Sequence, residues 1–185
     1  MTDKEKQKQA KVYCNLGNAY SLKGDCDNAI EAYKKVIELE PDDAEAYYNL
    51  GNAYSLKGDC DNAIEAYNRA TELEPDDAEA YNNLGNAYSL KGDYDNAIEA
   101  YKEAKELKPD DVEAYYNLGN IYYDKGDYDN AIEVFKKVIE LKPDFAEAYY
   151  SLGAAYGSKG DCDNAIEAIN KAKELKRFCT GIYIK

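Results

Sequence analysis

The side chains that could carry acid–base chemistry in this chain are carboxylates. The sequence has 185 residues, with 37 Asp and Glu and no His, so a general acid or base would have to be an Asp or a Glu. A residue type that recurs at a fixed step usually has a structural role, so a recurring carboxylate is better explained as a helix cap or as part of an exposed helix face. We therefore predict no catalytic residue and no enzyme activity. Two series recur every 34 residues: Asp25, Asp59, Asp93, Asp127 and Asp161 as caps, and Glu31, Glu65, Glu99, Glu133 and Glu167 as exposed faces.

The five cysteines could provide thiol or metal chemistry, but their spacing fits neither. Cys26, Cys60 and Cys162 occupy the repeated position that Tyr94 and Tyr128 hold elsewhere, which indicates packing variants. Without His and without a close-spaced Cys pair, zinc-type spacing is absent. Equivalent thiols in neighbouring repeats should be about 8–10 Å or more apart, beyond the roughly 7 Å limit for a disulfide. We expect free thiols in a reducing, cytoplasmic setting, with no metal and no cofactor.

One repeated stretch, NLGNAYSLKGD from Asn49 to Asp59, sets the positions of all these residues. Self-similarity at this period is the sequence signature of a solenoid. Close copies begin at Asn15, Asn83, Asn117 and, with changes, Ser151. A polar leader at 1–9 and a tail at 180–185 flank five units, and no linker separates them. The units are 10–43, 44–77, 78–111, 112–145 and 146–179.

The first half of each unit is predicted to be a helix, here called helix A. Asp42 and Glu45 are predicted to form a capping box at its start in the second unit. Gly51 falls in mid-helix, where glycine costs about 1 kcal/mol relative to alanine, so we expect a close approach of the partner helix. The residues that follow helical spacing are Ala44, Tyr47, Leu50, Gly51, Tyr54 and Leu56.

The second half of each unit is predicted to be helix B. Gly58 is expected to end helix A in the left-handed conformation, and Asp59 to cap helix B. Pro75 ends the pair, because the residue before a proline is disfavoured in the helical conformation. Each unit is thus predicted to be a helical hairpin. The apolar stripe of helix B consists of Ala63, Ile64, Tyr67, Ala70 and Leu73.

The second unit resembles the tetratricopeptide repeat, with Tyr in place of the usual Trp and Phe. The resemblance recurs in every unit and covers about nine-tenths of the chain. It implies an all-α fold, a right-handed superhelical α-solenoid of five helix-turn-helix repeats that serves as a protein-interaction scaffold. The matching pattern is Tyr47-x-x-Leu50-Gly51-x-x-Tyr54, then Ala63-x-x-x-Tyr67 and Pro75.

In tetratricopeptide proteins, helix A of each repeat lines a concave groove in which peptides commonly bind. An asparagine amide both donates and accepts hydrogen bonds, so a row of amides could bind an extended peptide backbone. The alternative is that these amides tie neighbouring repeats together or face water. The groove residues implied by the resemblance are Asn15, Asn18, Tyr48, Asn49, Asn52, Asn82, Asn83, Asn86, Tyr116, Asn117, Asn120 and Tyr150.

Co-chaperone members of the family grip a C-terminal carboxylate with a Lys, two Asn, and then a Lys and an Arg. In the first register those positions hold Cys14, Asn18, Asn49, Glu79 and Asn83. The amides are present, but all three cations are missing, so the charge-assisted bonds to a carboxylate are lost. We predict no tight binding of acidic C-terminal peptides.

The charge of the chain favours some partners over others. The formal net charge is −14, and the five units carry −3, −6, −4, −3 and 0. A surface of this sign repels phosphate backbones and anionic lipid headgroups, so a neutral or basic protein or peptide is favoured over nucleic acid or membrane. No apolar run reaches membrane-spanning length and Met1 begins a charged segment, so neither a transmembrane helix nor a secretion signal is expected.

The C-terminal end lacks a polar capping helix. Arg177 replaces the proline, and the following residues include Phe178 and Ile182. We expect a short, partly ordered tail and end-to-end association at high concentration. Units two and three differ at only six positions, which suggests recent amplification or design. The alternative function is therefore a structural or engineered repeat protein without a dedicated ligand that associates end to end.

Overall fold

The computed structural model describes residues 1–180, with side chains through Lys176. The described residues contain no strand, and the predicted all-α fold is confirmed. Odd-numbered helices are the helices A of the five repeats, and even-numbered helices are the helices B. The helices are α1 (Asp3–Leu22), α2 (Cys26–Leu39), α3 (Ala44–Lys57), α4 (Cys60–Leu73), α5 (Ala78–Lys91), α6 (Tyr94–Leu107), α7 (Val112–Asp124), α8 (Tyr128–Leu141), α9 (Ala146–Lys159) and α10 (Cys162–Thr180).

The helices group into two compact bodies. The N-terminal body, Met1–Leu107, contains α1 to α6, and the C-terminal body begins at Lys108 and contains α7 to α10. The division falls in the loop after α6. Within each body, helix A packs against helix B of its own repeat, and helix B packs against helix A of the next repeat. Repeats of the same body thus bury their apolar surfaces against each other, as in other helical solenoids.

Each hairpin turns at a glycine in the left-handed conformation. Gly58 has a φ of 79°, and its N–H donates to the carbonyl oxygen of Ser55. Asp59 then caps α4 by accepting a hydrogen bond from the N–H of Asn62 at 3.3 Å and another from Asn62 Nδ2 at 2.7 Å. These bonds stabilise the charged form and lower the pKa of Asp59. The predicted helix stop and helix cap are confirmed.

The predicted capping box at the start of helix A is wrong. The N-cap of α3 is Asp43 and not Asp42, since the Asp43 carboxylate accepts a hydrogen bond from the N–H of Ala46 at 3.0 Å. The preceding residues form a turn, which leaves Asp43 extended immediately before the helix, with φ −83° and ψ 98°. A capping box occurs instead at the start of α1, where Thr2 and Glu5 bond reciprocally.

Helices A and B approach each other closely at the mid-helix glycine, as expected. A Cβ atom on Gly51 would lie 2.6 Å from the ring of Tyr67, which is too close for two carbon atoms. Tyr67 is buried, so the absent side chain leaves the space that the ring fills. The same contact joins Gly17 to Tyr33, Gly85 to Tyr101, Gly119 to Phe135 and Gly153 to Ile169.

Within each body, an apolar core and ion pairs join neighbouring repeats. In the N-terminal body one core includes Tyr33, Leu50 and Leu84, and so extends through three repeats. On the surface, Lys57 Nζ lies 2.6 Å from the Asp27 carboxylate of the preceding repeat. Exposed pairs of this kind contribute little individually, so the apolar core dominates the stability. Equivalent pairs join Lys91 to Asp61 and Lys159 to Asp129.

The last helix is longer than the other helices B. It continues past Arg177 to Thr180, because no proline interrupts it at the position where proline ends the earlier repeats. The helix α10 ends at Thr180. The rest of the tail predicted at 180–185 lies outside the described residues, so the partial order expected for it stays a prediction.

Candidate peptide-binding face

The candidate site is the outward stripe of each helix A. Residues at i, i+4, i+7 and i+11 share one side of a helix, and on α3 these are Glu45, Asn49, Asn52 and Leu56. Helices α3 and α5 contact each other directly in the N-terminal body, as α7 and α9 do in the C-terminal body. The stripes therefore lie side by side. Across α3 and α5 they form a glutamate edge (Glu45, Glu79), two rows of amides and a leucine edge (Leu56, Leu90). We call these together the helix A face. Asn52 and Asn86 belong to the first amide row, and Asn49 and Asn83 to the second.

The first amide row is bonded to buried tyrosines of helix B. The Tyr67 hydroxyl donates to Asn52 Oδ1 at 2.7 Å. Since Tyr67 is buried, this bond gives its hydroxyl an acceptor inside the fold. These amide carbonyls therefore support the hairpin and are not freely available to a ligand. The same bond joins Tyr33 to Asn18 at 2.7 Å and Tyr101 to Asn86 at 2.6 Å.

The fourth repeat lacks this bond. Phe135 occupies the position of the tyrosine and packs in the same way against Gly119, but it has no hydroxyl. Asn120 forms no side-chain hydrogen bond with any described residue, and it is partly exposed. Its whole amide group is therefore available for external hydrogen bonds.

The second amide row divides into bonded and unbonded members. Asn83 Nδ2 donates to the Tyr48 hydroxyl at 3.0 Å and to Asn52 Oδ1 at 3.3 Å, so it ties α5 to α3. Asn49 has no tyrosine to bond in the preceding repeat, because Cys14 takes that place.

Asn15 and Asn49 have no side-chain hydrogen bond to the described part of the chain, and neither side chain is buried. Asn117 takes part in interactions within the structure. Of the two alternatives, tying repeats together holds for Asn83, whereas Asn15 and Asn49 either face water or bind a ligand.

The third predicted row contains Tyr48 and its equivalents in later repeats. The Tyr48 hydroxyl donates to Glu79 Oε1 at 2.6 Å, and its ring centroid lies 6.1 Å from that of Tyr67. Burial, and then the hydrogen bond to the Glu79 carboxylate, raise the pKa of Tyr48 to about 12. Tyr48 therefore joins two repeats and presents only part of its ring to a ligand.

The equivalents of Tyr48 lie in different environments. Asn82 is buried and leaves little surface for a ligand. The Tyr116 ring packs on Phe135 and Phe145, with centroids 5.9 and 5.0 Å apart, and its hydroxyl lies 3.2 Å from Ser151 Oγ. Tyr150, in the last repeat, is largely exposed.

Sequence reasoning missed the leucine edge of the face. Leu56 follows the helical spacing of the packing residues, yet 70% of it is exposed, as are 90% of Leu22 and 69% of Leu90. The signal was present in the sequence, because each leucine follows an amide of the first row by four residues and an amide of the second row by seven. In the C-terminal body the equivalent positions hold Asp124 and Ser158.

The described side chains offer little for covalent or metal chemistry. They include no group of three acidic, thiol or imidazole side chains able to hold a metal ion. Burial raises the pKa of the Cys14 thiol, and the charges of Glu45 and Asp43 act in the same direction, so the thiol is protonated and weakly nucleophilic at neutral pH. The described free thiols are Cys14, Cys26, Cys60 and Cys162.

No helix in the part of the chain that the structure describes is both long enough and apolar enough to cross a membrane.

Fold and site together define a helical-repeat protein whose hairpins expose an amide-rich face on their first helices. Family models match almost the entire array: the TPR repeat at 17–58, 51–92, 85–126 and 119–160, and the tetratricopeptide repeat at 146–179. The chain belongs to the tetratricopeptide-repeat family.

Several solved structures are similar over nearly the whole chain. A crystal structure of MamA is 36% identical, with 97% of this chain and 99% of that chain covered and a TM-score of 0.90. MamA from position 41 to its end, from Desulfovibrio magneticus RS-1, is 27% identical, with 91% and 96% covered and a TM-score of 0.86. YrrB, described as a TPR protein with an unusual peptide-binding site, is 28% identical, with 93% and 89% covered and a TM-score of 0.81. Comparison with curated protein sequences gave no match.

Proposed function

We propose that the chain is a non-catalytic protein-interaction scaffold that binds a peptide segment across its helices A. The observation that carries the proposal is that the exposed stripe offers amides, Asn15 and Asn49, without a bond to another described side chain. Such an amide can bond a peptide backbone without breaking a bond inside the fold. The likeness to YrrB, a TPR protein with an unusual peptide-binding site, supports the same function.

The partner we propose is a neutral or basic peptide segment. The net charge of −14 and the glutamate edge of the face attract cations and repel phosphate backbones and anionic lipids. Nucleic acid and membranes are accordingly not proposed as partners, and the free thiols fit a reducing, cytoplasmic setting. Catalysis is not part of the proposal, since Asp59 and its equivalents serve as helix caps.

A peptide-array screen followed by titration of the double variant N15A/N49A tests this function. We expect selected peptides to bind the unchanged chain and to lose about tenfold or more in affinity to the variant, because two backbone bonds are removed. The melting temperature should stay the same, since neither amide bonds within the fold. Asn170→Ala removes an exposed amide of α10 and serves as the matched control.

Two results would contradict the proposal. One is a screen in which no peptide binds, and the other is binding that the N15A/N49A variant retains in full. Asn86→Ala is unsuitable as a probe, because it removes the acceptor of the buried Tyr101 hydroxyl and would destabilise the hairpin as well.

A second candidate function is end-to-end association, which the two terminal repeats favour. In the last repeat Ile166 is 60% exposed, whereas the equivalent Ile64 is 9% exposed beneath the next repeat. In the first repeat Val12 and Leu16 are exposed, while Leu50, the equivalent of Leu16, is buried. These two unlike surfaces are the ones that repeats cover when they stack, so a contact between them would be heterologous and could propagate.

Sedimentation across a concentration series tests this second function. We expect the average mass to rise with concentration for the unchanged chain and to stay monomeric for Ile166→Glu, because a buried unpaired carboxylate is unfavourable. Ile166 is exposed, so the substitution should leave the helix content unchanged. This function would be contradicted if the unchanged chain sedimented as a monomer at millimolar concentration.

A further inference from the structure

Three leucines form an exposed apolar row in the N-terminal body. Leu22, Leu56 and Leu90 stand near the ends of α1, α3 and α5, and each is at least 69% exposed. A single exposed leucine needs no explanation, but three at the same position of successive repeats form an apolar strip. We call this strip the leucine row.

The leucine row borders the amides of the proposed binding face. Leu56 follows Asn52 by one helical turn and Asn49 by two, so all three lie on one side of α3. The lysines that follow two of the leucines are neutralised, since Lys57 and Lys91 pair with aspartates of the preceding repeats at 2.6 Å. The strip is therefore apolar and lacks uncompensated positive charge beside Leu56 and Leu90.

We infer that the leucine row binds a polyproline II segment that carries an apolar side chain at every third residue and basic residues between them. This inference rests on the proposed function, because it names the class of peptide that the helix A face would take.

The spacing of the row favours this conformation. Helices α3 and α5 contact each other directly, and contacting helices lie about 8–10 Å apart, so Leu56 and Leu90 repeat at about that distance. A polyproline II helix has three residues per turn and advances about 9.3 Å per turn, which brings every third side chain to the same side at the same step. In a β-strand, side chains on one side repeat at about 6.6–6.8 Å, and the match is lost after one leucine.

Hydrogen bonding and charge support the same ligand. A polyproline II segment forms no internal hydrogen bonds, so its carbonyl groups are free to accept from the unbonded amides of Asn15 and Asn49. Glu45 and Glu79 line the opposite edge of the face, about 16 Å along the helix from the leucines, so a segment whose backbone lies over the amide rows between them directs its apolar side chains to one edge and its long basic side chains to the other. The C-terminal body lacks the row, as Asp124 and Ser158 replace the leucines, so the segment is placed on α1, α3 and α5.

Two labelled peptides test the inference by fluorescence anisotropy. One contains four Pro-Lys-Leu triplets, and the other has the same composition with the leucines at alternate positions. We expect the chain to bind the first peptide about tenfold or more tightly than the second. The variant L22S/L56S/L90S should lose this preference, since each leucine would bury apolar area against the peptide.

Controls separate binding from folding. The three leucines are exposed, so the variant should keep its helical circular dichroism and melting temperature. Leu56→Met retains an apolar side chain and should keep nearly full affinity. Equal binding of the two peptides, or full affinity in the triple serine variant, would overturn the inference.

The outcome also distinguishes this inference from the proposed function. If array-selected peptides depend on Asn15 and Asn49 but show no three-residue apolar period, the inference fails and the function stands. If no peptide binds at all, both fail. If the triple serine variant instead abolishes self-association, the row binds another copy of the chain, and the peptide ligand is wrong.

Discussion

Gly51 shows how the absence of one side chain fixes the distance between two helices. The ring of Tyr67 occupies the space where a Cβ would lie, 2.6 Å away, so the glycine is required by packing although it is unfavourable in a helix. We predict that Gly51→Ala destabilises the chain in urea denaturation. Overpacking a core costs about 1–3 kcal/mol, which outweighs the gain of about 1 kcal/mol in helix propensity.

Gly157→Ala is the matched control for this prediction. Gly157 lies in α9, is exposed, and has its nearest neighbouring atom 3.9 Å from an added Cβ. We therefore expect Gly157→Ala to be neutral or to stabilise by up to about 1 kcal/mol. If both substitutions had the same effect, close approach of Tyr67 would not explain Gly51.

Tyr48 leads to a prediction about alkaline pH. Its pKa is raised to about 12, above the value of about 10 expected in an unfolded chain. A raised pKa means that the stability from this group is fully present below pH 10 and is lost as the pH rises through 12. We expect the unfolding free energy of the unchanged chain to fall, relative to that of Tyr48→Phe, between pH 10 and 12.

The difference between the two proteins is the quantity to measure, because the other tyrosines and the lysines are common to both. A pH-independent difference over this range would show that Tyr48 titrates normally, and that burial and Glu79 do not hold its proton.

At the scale of the helix, the position of the N-cap decides where helix A begins. Asp43 caps α3 through the N–H of Ala46, while Asp42 forms only an exposed ion pair with Arg69 at 3.7 Å. We predict that Asp43→Ala lowers the stability by about 1 kcal/mol, and that Asp42→Ala has a much smaller effect. Urea denaturation of the two variants measures both effects. A larger loss of stability for Asp42→Ala than for Asp43→Ala would contradict the prediction and favour Asp42 as the capping residue.

At the scale of the whole molecule, the repeats supply amides without the cations that would hold a carboxylate. We predict that the unchanged chain does not bind an acidic C-terminal peptide at micromolar concentration. The variant C14K/E79K/N83R should bind it, since the new cations would flank Asn18 and Asn49 with charge-assisted donors. Calorimetric titration with the free acid, and with its C-terminal amide as the control, measures the difference.

The variant replaces Glu79 and Asn83, both partners of Tyr48, so its folding should first be checked by circular dichroism. Micromolar binding by the unchanged chain would contradict the prediction, as would a folded variant that distinguishes neither peptide.

The sequence by itself determined the helical hairpins and their number. Glycine, proline and capping aspartate act within a few residues of their own position, so Gly58, Asp59 and Pro75 mark the turns wherever the repeat occurs. The apolar stripe of each hairpin then calls for a neighbouring repeat, because no repeat can bury its stripe alone, and hairpins stack in this way within each of the two bodies.

Only the tertiary structure decided which residues of the helix A face are available to a ligand. Asn52 and Asn49 have the same side chain, but Asn52 accepts a hydrogen bond from a tyrosine 15 residues away, while the partner position of Asn49 holds Cys14. Leu50 and Leu56 share a helix and a residue type, yet the neighbouring repeat covers only Leu50. Hydrogen bonding and burial between repeats depend on what faces a residue in space, and helical spacing alone does not specify it.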